Sequence, residues 1–147
     1  MEAELDAGAG RRVVIRDVRD ELDIRNIVAR IAHYSDMGGL DDYGRLFAED
    51  ASWEMPPAPP KRGRSEIQEA GAARRAEGLT GPGSQTRHVV TTVAVTVDGD
   101  AAVADSYWQF YNDTATAPVL SMMGHYRDTF RREPDGWRLV ERLITNG

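Results

Sequence analysis

Apolar residues recur every three or four positions between residues 20 and 38 and every second position from residue 88 onward, so helices come first and strands last. Ile24, Ile27, Val28, Ile31 and Tyr34 form one stripe along a first helix. Asp20, with Asp23 three residues on, marks its start, and Gly38-Gly39 stop it. A short second helix carries Leu40, Tyr43, Leu46 and Phe47 on one side. Residues 50–55 read as a short strand, which Pro56-Pro57-Ala58-Pro59-Pro60 ends because proline gives a ladder no N–H. Ser65-Glu66-Ile67-Gln68 has the form of a capping box and opens a third helix that runs to about Gly78.

The remainder is β. Val89, Thr91, Val93, Val95 and Val97 alternate with His88, Val90, Thr92, Ala94 and Thr96, which gives one β-branched packing face and one mixed face. Asp98-Gly99-Asp100 is a hairpin turn into an aromatic-rich strand, 101–111. Strands over 120–131 and 137–144 follow, joined by the turn Pro134-Asp135-Gly136. These linkers are too short for crossovers, so the strands pair antiparallel. Three helices against a strongly bent, mostly antiparallel sheet form an α+β cone, and a cone encloses a pocket. Residues 1–16 are rich in Gly, Ala and charge and are expected to be flexible, leaving 17–147 as a single domain.

Composition narrows the function. At 147 residues the chain can bury roughly two thirds of its unfolded surface in one core. Its net charge of −6 argues against a nucleic-acid or anionic-membrane partner. Short basic clusters such as Lys61-Arg62-Gly63-Arg64 and Arg74-Arg75 read as solvated surface. No cysteine is present, which removes disulfides, thiol nucleophiles and thiolate metal sites and fits a cytoplasmic protein. No apolar stretch approaches the roughly 20 residues of a membrane span. The acidic start of the chain is not a secretory signal.

The candidate chemistry is a carboxylate and an imidazole. Asp36 lies in the last turn of the first helix, facing the negative end of the macrodipole, which disfavours its charge unless a cation or donor lies near. His88 opens the first long strand, on the Val90/Thr92 face. His125 shares a face with Met123 and Arg127, while Met122, Tyr126 and Asp128 take the other, and alternation alone does not say which is concave. Asp105, Tyr107, Gln109 and Tyr111 form one further strand face, open to either reading. Three scattered histidines without ligand spacing make a metal site unexpected, and no phosphate loop, nucleophile elbow or zinc helix occurs. An enzyme of this kind is expected to need no cofactor.

Ile24-Arg25-Asn26-Ile27, Tyr34-Ser35-Asp36 and Leu46-Phe47-Ala48-Glu49-Asp50-Ala51-Ser52-Trp53 resemble the opening of SnoaL-like domains of the nuclear-transport-factor-2-like superfamily. Thr86-Arg87-His88-Val89-Val90, Gly124-His125-Tyr126-Arg127-Asp128 and Asp135-Gly136-Trp137-Arg138-Leu139 extend the likeness to about residue 145. In the scytalone dehydratase and dehydrochlorinase branch an Asp ending helix one pairs with a His opening a long strand, and Asp36 and His88 fall on those positions. The resemblance implies a lyase or dehydratase acting on a small apolar cyclic or aromatic substrate, with Asp36 and His88 catalytic. Tyr34, Trp53, Tyr107 and His125 would then shape the pocket or polarise a substrate oxygen. It also implies a homodimer. Met55 and Ile31 stand where ketosteroid isomerases carry an acid and a tyrosine, which disfavours that reaction. A polyketide-cyclase-like enzyme, and a non-catalytic small-molecule binder or accessory subunit, remain alternatives because this scaffold hosts all of them.

Overall fold

Helix α1 runs from Ala3 to Asp36, well ahead of Asp20, where the apolar spacing puts its start. The computed structural model describes residues 3–147, and side chains from residue 15 onward. The flexibility expected of residues 1–16 therefore falls largely on positions outside the described side chains. Asp20 is not a cap. It lies inside the helix, buried, and accepts hydrogen bonds from Arg132 at 2.9 and 2.6 Å and from the Trp137 indole at 3.1 Å. These bonds tie α1 to the sheet.

The Arg132 guanidinium holds the Asp20 carboxyl below its usual 3.8, against the opposing effect of burial. A carboxylate with a depressed folded value adds stability that is complete above its unfolded pKa and lost as pH falls through the folded one. Asp20→Asn is therefore expected to lose about 2 kcal/mol at neutral pH. The same variant should flatten the fall in stability below about pH 4, as read from urea midpoints against pH. An unchanged acid slope would contradict this role.

After α1 come α2 (Leu40–Arg45), β1 (Phe47–Glu54), β2 (Lys61–Arg62) and α3 (Arg64–Ala76). Strands β3 (Arg87–Asp98), β4 (Ala101–Asn112), β5 (Val119–Glu133) and β6 (Gly136–Asn146) complete the chain. The six strands form one curled sheet in the order β2-β1-β6-β5-β4-β3. All pairs are antiparallel except β1 with β6. That parallel pair is possible because the whole segment between the two strands, α3 included, serves as its crossover. The helices pack on the sheet as the cone-shaped α+β fold requires.

Three local departures have clear causes. Phe47 starts β1 rather than ending α2, yet it is fully buried and rests against Tyr43 with ring centroids 5.1 Å apart. Gly63, not Ser65, is the N-cap of α3, and Glu66 accepts the Arg62 N–H at 2.8 Å, so the helix starts two residues earlier than the serine suggests. In β3 the register slips between Thr91 and Ala94. Thr92, at φ 54°, bulges out, and its hydroxyl accepts the Tyr107 N–H at 3.3 Å. Below the bulge His88 and Val90 face inward and Val89 is exposed; above it Val93, Val95 and Val97 pack on the core.

The core joins Ile24, Ile27, Val28 and Ile31 of α1 to Phe130, Trp137 and Leu139 of the sheet. Burying one such aliphatic side chain contributes about 1.5–3 kcal/mol. At the far end of α1, Arg75 of α3 donates to the carbonyls of Tyr34 at 2.6 Å and Gly38 at 2.7 Å. A cation on these C-terminal carbonyls closes the helix and offsets its dipole beside Asp36.

Candidate active site

Asp36 is the last residue of α1 and His88 the second of β3, and the fold brings them together. Asp36 Oδ2 accepts the His88 backbone N–H at 2.8 Å, and Oδ1 lies 2.7 Å from His88 Nδ1. One carboxylate thus grips both the backbone and the ring of its partner. An ionised carboxylate only accepts, so the proton of this bond belongs to Nδ1, and Nε2 of the neutral ring keeps its lone pair. Asp36 is 4% exposed at its side chain and His88 20%, so the acid is sealed while the imidazole retains access. Phe110 lies against the His88 ring, centroids 4.7 Å apart, and limits its swing.

His88 lines a cavity of about 220 Å³ between the helices and the concave sheet face. Ile31 and Ala32 of α1, Trp53 and Met55, Trp108 and Phe110, and Ile144 supply most of its wall. A dry cavity of roughly 150 Å³ accepts a benzene ring, so this one suits a substituted ring. Trp53 lines this cavity, with the Arg74 guanidinium 5.3 Å from its ring centroid.

The other three candidate residues do not reach the cavity. Tyr34 turns away along α1, where its hydroxyl accepts from Arg30 at 3.2 Å, and Ser35 lines the wall instead. Tyr107 and His125 are cross-strand partners on the opposite face of the sheet, with ring centroids 6.1 Å apart. Tyr107 is 55% exposed, and His125 Nε2 is engaged by Asp105 at 3.1 Å. The concave face belongs to the alternate set, Trp108, Met122 and Tyr126, so a single step of strand alternation separates the expected residues from the observed ones.

Tyr126 is the functional candidate that alternation left undecided. Burial pushes its phenol up to about 12, against the pull of the Arg142 cation, so it stays an O–H donor. Among the described residues its hydroxyl has no hydrogen-bond partner, while its ring stacks on Trp108 at 5.7 Å and carries Arg142 4.0 Å above its centroid. Arg142 is buried and bonds Asp128 through two contacts of 2.8 and 2.7 Å. Asp128 and Arg142 face each other across the β5–β6 hairpin, a match that counting outward from the Asp135-Gly136 turn misses by one residue because the register shifts between Phe130 and Thr129. Gly124 makes room for this arrangement, since a Cβ there would strike the Thr145 carbonyl and the Trp108 indole.

Among the described residues no group of three His, Cys, Asp or Glu could hold a metal ion, and no helix is long and apolar enough to cross a membrane. Residues 16–143 match the sequence profile of the SnoaL-like domain. Similar solved structures include an NTF2-like protein with a cystatin-like fold from Novosphingobium aromaticivorans, 25% identical at a TM-score of 0.81 over 94% of this chain and 88% of that one. Another is a candidate dehydratase of the NTF2-like family from Streptomyces avermitilis, 20% identical, TM-score 0.73, over 88% and 97% of the two chains. A third, a candidate aromatic ring hydroxylase from Novosphingobium aromaticivorans, is 24% identical with a TM-score of 0.71 over 88% and 90%. No curated protein matches the chain.

Proposed function

Since this chain belongs to the SnoaL-like domain family, whose fold leaves the reaction open, we propose from the site itself that it is a lyase of the dehydratase type acting on a small ring compound. The observation that carries this is the Asp36–His88 contact of 2.7 Å at the wall of an apolar cavity. His88 Nε2 takes a proton from carbon, and Asp36 fixes the tautomer and stabilises the imidazolium that forms. The C–H electron pair becomes the new double bond, the C–O bond breaks, and the departing hydroxide takes the proton back from His88 as water. Tyr126, a protonated phenol on the same wall, donates to the substrate oxygen that gathers charge. Apolar walls exclude the water that would otherwise quench the carbanion-like state.

A candidate dehydratase among the structures of this fold is compatible with the proposal but adds only the fold. A non-catalytic binder or accessory subunit would not need the acid to hold the ring in one tautomer beside a cavity. The experiment is a panel of small cyclic β-hydroxy ketones and β-hydroxy acids, followed by mass spectrometry for loss of water. Wild type is expected to dehydrate at least one class, and His88→Ala to lose about 10²–10⁴-fold in rate while remaining folded. Equal rates in the two proteins, or no turnover across the panel, would overturn the proposal.

A further inference from the structure

Arg74 lines the cavity from the last turn of α3, half-buried, and among the described residues its guanidinium has no hydrogen-bond or ion-pair partner. This sets it apart. Other arginines withdrawn from solvent donate to the protein: Arg64 to the Phe47 carbonyl at 2.6 Å, Arg75 to the end of α1, Arg142 to Asp128. The five N–H donors of Arg74 meet no protein acceptor among the described residues and are left open to water and to whatever occupies the cavity. The face of Trp53, 5.3 Å away, holds the cation in place but accepts none of its hydrogen bonds.

The charges of the cavity single out the same residue. Arg142 is neutralised by Asp128 through two short bonds, and the Asp36 carboxylate is committed to His88. Arg74 is left as an uncompensated positive charge beside an apolar hollow. Thr80, buried on the same wall, likewise offers a hydroxyl with no side-chain partner among the described residues. A planar fork with a hydroxyl nearby suits a planar anion that accepts two parallel bonds.

We infer that the ligand of this cavity is a small ring compound bearing a carboxylate, which Arg74 receives while the ring lies against Trp53 and Trp108. This rests on the reading that the cavity is the substrate site, and it narrows that substrate from any apolar ring to a ring acid. Arg74 then fixes which carbon faces His88 by anchoring the opposite end of the molecule. It is a binding residue and touches no reacting bond.

The test is a calorimetric titration of the whole protein with cinnamate and with its neutral isostere cinnamamide, and with benzoate against benzamide. Wild type is expected to bind the acids at least about tenfold more tightly than the amides, a preference that weakens with salt. Arg74→Gln should erase the preference, and Arg74→Lys should keep part of it, since the charge remains and the fork does not. His88→Ala should leave the preference intact, so failure of the proton-transfer proposal would not be mistaken for failure of this one. Equal affinity for acid and amide in wild type, no measurable binding of either acid, or a preference that survives Arg74→Gln would overturn the assignment. Tighter binding of phenyl phosphate than of benzoate would likewise overturn the carboxylate assignment, in favour of a phosphate ester.

Discussion

Asp36→Asn is expected to lower turnover by roughly 10⁴-fold with little change in the fold, because it leaves a histidine in place but in the wrong tautomer. The amide oxygen can still accept the His88 backbone N–H, which the carboxylate holds at 2.8 Å. Its NH₂ group then faces Nδ1 across the contact that is now 2.7 Å. Two donors cannot share that bond, so Nδ1 must accept, and the ring proton moves to Nε2. A base with its lone pair turned away from the cavity cannot take a proton from substrate. Nitrogen chemical shifts of the imidazole report the tautomer directly, and the rate of water loss reports the consequence. Turnover within tenfold of wild type, or an unprotonated Nε2 in the variant, would remove Asp36 from the mechanism.

The largest loss of stability is expected at Asp128. Its side chain is fully buried and holds Arg142 through two bonds, and Arg142 in turn covers Tyr126. Asp128→Ala strands a buried guanidinium, which costs about 3–5 kcal/mol. With a urea slope of about 2 kcal/mol/M the midpoint should fall by about 2 M. The double variant Asp128→Leu/Arg142→Leu should recover at least about half of that loss, since the desolvated cation goes as well. If the double variant is no more stable than Asp128→Ala, the cost lies in packing rather than charge. The cavity floor should suffer in the double variant, because there Tyr126 loses the Arg142 group stacked on it.

Most of the architecture is written in the spacing of apolar residues. The α1 stripe, the β4–β5 and β5–β6 hairpins and the Asp36–His88 pair were all readable, because each depends on local period or on positions shared with a family. What was hidden depends on contacts between distant segments. Asp20 resembles a cap in sequence, and only Arg132 and Trp137, more than a hundred residues away, make it a buried tie. Tyr107 and His125 were expected in the pocket because strand alternation defines two faces without saying which is concave. The packing of α1 against one side of the sheet decides that. Arg74 looked like half of a surface dyad, and the packing of α3 beside β1 sends it inward while Arg75 goes to α1.

The extra residue at Thr92 lets a single strand serve two neighbours that want opposite sides of it. Without the slip, a strand that aimed His88 at the hollow would turn its valines Val93, Val95 and Val97 to solvent, and one that kept those valines on α1 would point the imidazole outward. The chemistry of one end and the adhesion of the other are thereby decoupled. Each half of the strand can change its side chains without reorienting the other.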